Sequence, residues 1–482
     1  MEENVASRAK EVITTEYESS ATPWVIGYSG GKDSTCVLQL VWDAIISLPI
    51  ERRKKIIYVV SSDTLVETPS VVNRIDQTLE LITKAANDNE MPFVVQKVTP
   101  KVSETFWVNL IGKGYPAPYN NFRWCTDRMK IKPTTGFITD TIAENGEVMV
   151  LLGARKSESS TRAQVMSNRN EQRTYVSRHN EITNAMVFTP IEDWTADDVW
   201  TFVISSSPPW GGDNKELVTM YRNAQAGECP LVIDKSTPSC GGGRFGCWTC
   251  TVVQRDRSME AMIDNGEDWM QPMLDFRDWL VTTQEPENKH KIREHRRRTG
   301  RIDIAEVETT GDKKKILNEY DNVNPNAAER KIIWGPYTFK FRKEILTKLL
   351  KAEDEVRENG PDPDIVLIKP FELHQIRQIW LHEEGDWEDS LPEIYNQTRG
   401  EDLPWVKDDL SGLGGEEKQV LSSICERHEI PQGMVMELLD LEKKLQGLAR
   451  RSKVYDGIDT ILSKDWTSRE EALAKIITPQ SN

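Results

Sequence analysis

Ser29, Gly30, Gly31, Lys32, Asp33 and Ser34 form a compact chemical group in the chain, directly after the apolar run Trp24–Tyr28 and before an amphipathic stretch. Glycine lets backbone N–H groups approach an anion closely. A helix that starts here would aim its positive end at the same spot, with Ser34 placed to cap it. A phosphate cradle is therefore expected at Ser29–Ser34, the alternative being an ordinary glycine turn. The spacing is neither the Walker pattern G-x-x-x-x-G-K-S/T nor the dinucleotide pattern G-x-G-x-x-G.

A second group is built from thiols. Cys229, Cys240, Cys247 and Cys250 fall within one glycine-rich stretch, spaced C-x10-C-x6-C-x2-C. Four thiolates can converge on one centre, and this set suits zinc or an iron–sulfur cluster equally. Four unligated thiols are the alternative. Of the other three cysteines, Cys36 and Cys425 read as packing. Cys125 lies between Trp124 and Thr126, beside Arg123, and reads either as a sulfur carrier or as a half-buried small residue.

Basic side chains complete the inventory. Arg123, Lys130, Arg155 and Arg162 lie in "NNFRWCTDRMKIKP" and "LLGARKSESSTR". Arginine suits bidentate binding of phosphate or sulfate, although a surface ion pair is the commoner use. The run Lys289–Arg301 is a candidate contact for DNA phosphates, against the reading of a solvated, charged helix face.

The elements that must position these groups alternate. "WVIGYS", "KKIIYVVSS", "PFVVQKV" and "VMVLLGAR" read as strands, with helices predicted at "STCVLQLVWDAIISL" and "PSVVNRIDQTLELITKAAND". Val72, Ile75, Leu79 and Ile82 predict one buried helix face, and Pro69 suits the first turn. The fold class is therefore α/β, a parallel twisted sheet with flanking helices. A cysteine-rich loop region and a mainly helical C-terminal part are expected to follow it. Asp63 would then sit at the carboxyl edge of the sheet, as a ligand group or as a turn residue. Segments are expected at 1–205, 206–280 (cysteine-rich), 281–330 (a charged linker) and 331–482 (helical).

The 482 residues carry a net charge of −16, which argues against binding nucleic acid over the whole surface. There is no apolar run of membrane-spanning length and no apolar core of a signal peptide, so a cytoplasmic protein with no membrane partner is expected.

"SGGKDS" resembles the S-G-G-x-D-S loop of the PP-loop ATP pyrophosphatases, a family of the adenine nucleotide alpha hydrolase-like fold. The resemblance implies that Ser29, Gly30, Gly31, Lys32, Asp33, Ser34 and Asp63 bind ATP and its Mg2+. The bond cleaved would lie between the α and β phosphates. "FRWCTDRMKIKP", "LLGARKSESSTR" and "TPIEDWTADDVW" resemble, in order, the sulfonucleotide (PAPS) reductases, but the E-C-G-x-H motif of their reducing thiol is missing. With "SSDTLVETP", "FWVNLIGKGYPAP" and the cysteine quartet, the sequence is similar to the DndC-like sulfurtransferases of DNA phosphorothioation. That resemblance implies a 4Fe-4S cluster on Cys229, Cys240, Cys247 and Cys250, and catalytic roles for Lys32, Asp33, Cys125 and Arg155. Substrate contacts would come from Arg123, Lys130, Arg155 and Arg162. The implied partners are a cysteine desulfurase, other Dnd proteins and DNA, the last reached directly or through those proteins. The implied reaction adenylylates a backbone phosphate so that sulfur can replace a non-bridging oxygen. A sulfonucleotide reductase-like enzyme and a non-catalytic, cluster-bearing scaffold are the rivals.

Overall fold

The computed structural model describes residues 5–158, 175–224, 246–310, 313–317, 329–386, 388–403, 415–445 and 454–477. Two compact units emerge. The first comprises Met1–Phe106 and Pro118–Arg277, the second Trp107–Ala117 and Asp278–Asn482.

The first unit is built on a six-stranded sheet of order β3-β2-β1-β4-β6-β5. Its strands are β1 (Trp24–Gly27), β2 (Ile57–Ser62), β3 (Phe93–Val98), β4 (Val148–Leu151), β5 (Val176–Arg178) and β6 (Ala185–Phe188). All neighbours pair in parallel except β5, an antiparallel edge on β6. The four strands read from sequence are thus β1 to β4, and β5 and β6 are additional. Both are short, and pairing rather than composition defines them.

The alternation of side chains sorts the core into two faces. Trp24, Ile26, Ile57, Val59, Met149 and Leu151 face one way and pack with α1 (Val5–Ser19), α2 (Lys32–Ile46) and α3 (Pro69–Asp88). Val25, Val60, Val148 and Val150 face the other, against Ile138 and Phe137 of α5 (Lys132–Asn145). Pro69 begins α3 as expected, but the fully buried residues of that helix are Val71, Leu79, Ile82 and Ala86, with Val72 and Ile75 only half-buried. Between β3 and α5 lie α4 (Trp124–Thr126) and a π-helical turn, Asp127–Ile131. After the sheet come α6 (Ala196–Ser205) and α7 (Asn214–Ala224). Thr195 and Asp198 form a reciprocal capping box on α6. Then follow α8 (Arg257–Asp264), α9 (Gln271–Thr282) and α10 (Pro286–Ile292).

The second unit holds an antiparallel sheet, β8-β7-β9, formed by β7 (Ile304–Thr310), β8 (Lys313–Leu317) and β9 (Glu329–Ile332). These strands begin inside the stretch 281–330 read from its charge as a linker. Val307 and Thr309 alternate with Glu306 and Glu308, and strand pairing outweighs the charge there. The helices are α11 (Phe339–Asn359), α12 (Pro370–Glu383), α13 (Ser390–Arg399), α14 (Gly415–Arg427), α15 (Gln432–Leu445), α16 (Val454–Leu462) and α17 (Arg469–Ile477). Residues 107–117 of the first half belong to this core. Trp107, Val108, Leu110 and Ile111 are fully buried, and Val108–Gly112 winds as a π-helical turn. The Trp107 indole donates to the Leu367 carbonyl at 2.7 Å, and the Trp380 indole donates to that of Ile111 at 3.0 Å. Among the described residues no helix is long and apolar enough to cross a membrane.

At the amino-terminal edge of the first sheet, Lys55 is buried, with its ammonium 4.8 Å from the Tyr17 ring and 4.9 Å from the Trp24 ring. Its Nζ makes no hydrogen bond. Burial lowers its pKa to about 8, with Glu16 opposing. A lysine lowered on folding costs stability below its folded pKa, and that cost fades as pH rises toward the unfolded value. The rings return part of it. Lys55→Met is therefore expected to stabilise the protein by about 1–2 kcal/mol at pH 7. Thermal melts should show the gain shrinking between pH 8 and 10. A lower melting temperature for the variant at pH 7 would mean that the rings outweigh burial.

Candidate functional site

β1 ends at Gly27, and the chain turns through Tyr28–Gly31 into α2. The sheet order places β1 and β4 side by side with their connections leaving in opposite directions, the position at which open α/β sheets bind ligands. Helix α2 starts at Lys32 with Gly31 as its N-cap and no side-chain cap. Ser34 therefore does not cap the helix as expected. It lies inside the first turn, where its hydroxyl donates to the Gly31 carbonyl at 3.0 Å and accepts the Ser29 N–H at 3.2 Å. The loop is thus braced from within, and the helix end is left for an anion. The hydroxyl of Tyr221, on α7, accepts the Lys32 N–H at 3.3 Å.

Two glycines are fixed by space. Gly30 has φ +69, and a Cβ there would lie 2.9 Å from Ile75. A Cβ on Gly153, just after β4, would lie 2.8 Å from the carbonyl carbon and oxygen of Asp33. Only glycine lets the β4 loop approach the start of α2 this closely. That approach delivers Arg155, which is 4% exposed, to Asp33, with Nε 2.7 Å from Oδ1. The Lys32 ammonium takes the other oxygen at 2.7 Å. Arg155 also donates to the Ser157 hydroxyl at 2.9 Å, and Glu158 stands 3.8 Å away. Arg74 donates to the Gly30 carbonyl. Lys32 and Arg155 hold Asp33 at the helix end, with Arg74 on the loop and Glu158 beside Arg155, so positive groups outnumber carboxylates, a balance that favours a polyphosphate.

Asp63 follows β2 at the same carboxyl edge. Its carboxylate accepts the Leu65 N–H at 2.8 Å and pairs with Lys97 at 3.0 Å, the bonding of a turn residue. That turn leads to the thiols. Glu67 and Cys247 form an antiparallel bridge, and the Trp248 N–H donates to the Val66 carbonyl at 2.9 Å. The Thr64 hydroxyl lies 3.4 Å from the Cys247 sulfur. Burial pushes the Cys247 thiol up to about 12, with Lys130 opposing. Burial also raises Cys125, and neighbouring Cys250 adds to it. The Lys130 ammonium is held protonated chiefly by Cys247, with help from Glu67, Cys125 and Cys250. Burial raises the Glu67 carboxyl.

Cys125, Lys130, Cys247 and Cys250 therefore form one neighbourhood, although at least 117 residues separate the first two from the last two. Buried Arg277 fixes the C-x2-C turn from behind. Its guanidinium donates to the carbonyls of Cys250 at 2.9 Å, Gln254 at 2.8 Å and Val253. Of the cysteine quartet, Cys247 and Cys250 are described, and their soft thiols are of the kind that suits a thiolate-bound centre, with Glu67 and Lys130 beside them. Cys229, Cys240 and Arg162 lie outside the described residues. Among those described, no group of three His, Cys, Asp or Glu converges to hold a metal ion.

Arg123 stands before α4 and donates to the Asn120 side chain at 3.0 Å. Cys36 and Cys425 are buried, as expected of packing residues. The basic run is partly solvated. Helix α10 stops at Ile292 with His290 and Lys291 exposed, and the arginines that follow divide, Arg298 and Arg301 being exposed and Arg296 and Arg297 half-buried. Arg293 is buried and donates to the carbonyls of Gly335 and Trp334. Arg298 donates to the Lys113 carbonyl and pairs with Glu383. Glu67, Arg74, Gly153, Tyr221 and Arg277 were not singled out as site residues from sequence. Each acts through a partner far along the chain, and only Glu67 and Gly153 lie in recognisable motifs.

Residues 23–252 match the phosphoadenosine phosphosulfate reductase domain. An uncharacterized protein of Methanocaldococcus jannaschii, MJ0066, is 29% identical over 208 residues, which cover 43% of this chain and 37% of that protein. The chain thus spans just over a third of that relative. Among solved structures, phosphoadenylyl-sulfate reductase from Candida auris in a phosphate complex is 15% identical, covers 44% of this chain and 85% of that one, and gives a TM-score of 0.29. The tRNA thiolase NcsA from Methanococcus maripaludis with its 4Fe-4S cluster is 11% identical, covers 59% and 80%, and gives 0.27. The matched stretch spans the glycine loop, the Gly153–Arg155 turn and the C-x2-C pair, so this part of the chain is similar to the phosphoadenosine phosphosulfate reductase domain.

Proposed function

We propose that this protein is an ATP-dependent sulfurtransferase of DNA phosphorothioate modification. One observation carries the pairing of nucleotide and sulfur chemistry. The phosphate loop leaves the carboxyl end of β1, and the thiol neighbourhood hangs from the carboxyl end of adjacent β2. DNA as substrate rests on the resemblance of the motifs to the DndC-like family. On this reading a cysteine desulfurase and other Dnd proteins are partners in the cytoplasm.

ATP with Mg2+ would lie with its phosphates over the α2 N-terminus. Its negative charge draws Lys32 and Arg155 off Asp33, leaving that carboxylate for the cation. Attack by a DNA phosphate oxygen on the α-phosphorus releases pyrophosphate and leaves an adenylylated phosphodiester. The outer sulfur of a cysteine persulfide would then attack the phosphorus of that phosphodiester and expel AMP, and a second thiol would take the S–S bond, freeing the phosphorothioate and leaving a disulfide for an external thiol to reduce. A 4Fe-4S cluster on Cys229, Cys240, Cys247 and Cys250 would supply the sulfur-handling centre. Lys130 holds positive charge beside those thiols, and Cys125 stands among them as a persulfide carrier or a further ligand. Arg123 and Arg162 are proposed as contacts to the substrate phosphate.

Asp33→Asn is expected to lower pyrophosphate release by about two orders of magnitude, the usual cost of losing one electrostatic contact to the reacting phosphate. Gly153→Ala should do nearly the same by pushing the β4 loop off α2, and should also lower the melting temperature, because the atoms its methyl group would meet are backbone. Wild-type protein that consumes a sulfonucleotide without releasing pyrophosphate would favour the reductase instead. Unchanged pyrophosphate release in Asp33→Asn would remove the loop from the chemistry.

The thiols are tested separately. Anaerobically purified wild-type protein should contain iron and sulfide and absorb in the visible. Cys247→Ser should lose both, while retaining ATP cleavage. If Cys125→Ser keeps its iron but abolishes phosphorothioate in cellular DNA, measured by nuclease digestion and mass spectrometry, Cys125 is the carrier. If its iron is lost as well, Cys125 is a ligand. A colourless zinc protein would overturn the cluster.

A further inference from the structure

The second unit contains a cleft of about 510 Å³ that the phosphate-loop chemistry does not use. Phe339, Met436, Leu441 and Ile461 give it apolar walls, and Arg296, Lys464, Glu383 and Glu437 bring charge to it. Most of these charges are matched. Lys464 pairs with Glu437 at 2.5 Å, and Glu383 with Arg298 at 3.0 Å. Arg296 differs. Its guanidinium lies 4.8 Å from the Trp466 ring and donates to the Asp465 carbonyl at 3.3 Å. Among the described residues no carboxylate pairs with it.

A guanidinium laid against an indole keeps its plane and is cheap to use, because its orientation is already fixed. Its remaining N–H groups suit a phosphate or carboxylate. The cleft is far larger than one phosphate ion, and its size is that of an ordinary small-molecule site. The Glu437 and Glu383 carboxylates can accept from amino groups, and the apolar walls can cover a planar ring. One anionic group, one flat ring and exocyclic amines are the parts of a nucleotide.

We infer that this cleft binds a nucleotide unit, with its phosphate on Arg296 and its base against the Phe339 and Met436 walls. The unit is either a free nucleotide or one residue of a nucleic-acid strand, since both present the same chemistry. The inference stands apart from the sulfur-transfer reading, because it uses no residue of the first unit.

The experiment uses the full chain carrying Lys32→Ala, which weakens the phosphate loop. AMP and a 5′-phosphorylated ten-nucleotide single strand are titrated by calorimetry. At least one should bind, and Arg296→Ala should weaken it about ten-fold or more. Arg296→Lys, which keeps the charge but loses the fixed plane, should weaken it by a similar factor. Binding of AMP alone assigns the cleft to a free nucleotide. Binding of the strand, with AMP competing, assigns it to nucleic acid. Melting curves check folding: the bound probe should raise the midpoint of the Lys32→Ala protein and not that of the protein with Arg296→Ala added. Failure of both probes to bind, or equal affinity with and without Arg296, would overturn the inference. Neither result bears on pyrophosphate release by the wild-type protein.

Discussion

A helix that begins without a side-chain cap leaves backbone donors unsatisfied, and the first unit is arranged around that deficit. Gly31 contributes no side chain, and Ser34 turns back into the loop, so the start of α2 keeps its positive end toward the crevice. The other features follow from this end. The left-handed Gly30 shapes the turn, Gly153 lets β4 come close, and Arg155 and Lys32 hold Asp33 between them. The buried arginine would be costly alone, and the ion pair stabilises it until a more highly charged ligand arrives.

Much of this was legible in the sequence. The strands β1 to β4 were apolar runs bounded by turns, and the loop after β1 had a spacing that excluded other phosphate cradles. Pro69 marked the start of α3 because its missing N–H costs nothing there. What the sequence hid depends on distance along the chain. Cys125 and Cys247 meet only because the turn after β2 pairs with the C-x2-C segment, and no local pattern encodes that pairing. Ser34 misled for a related reason, since a hydroxyl near a helix start can cap the helix or brace the preceding loop, and composition does not choose between them.

The charged half of the chain shows the same limit. Charge density suggested a linker and a solvated or DNA-facing run. Yet Arg293 and Arg342 are buried, each satisfying carbonyls, and Glu353 accepts the backbone N–H groups of Leu367 and Ile368 at 2.6 and 3.0 Å. These ions act as internal hydrogen-bond hubs for irregular backbone. Their specificity is geometric, so a count of charges reveals nothing about it.

The segment Trp107–Ala117 has a consequence for how the chain is made. It leaves the ribosome among the residues of the first unit, but its indole and carbonyl partners lie at Arg342, Leu367 and Trp380. For the time needed to add 230 residues or more, Trp107, Val108, Leu110 and Ile111 have no core to enter. At typical synthesis rates that interval is on the order of tens of seconds. During it the nascent protein presents an apolar hook. The core of the second unit, to which this segment belongs, is completed only when those later residues arrive.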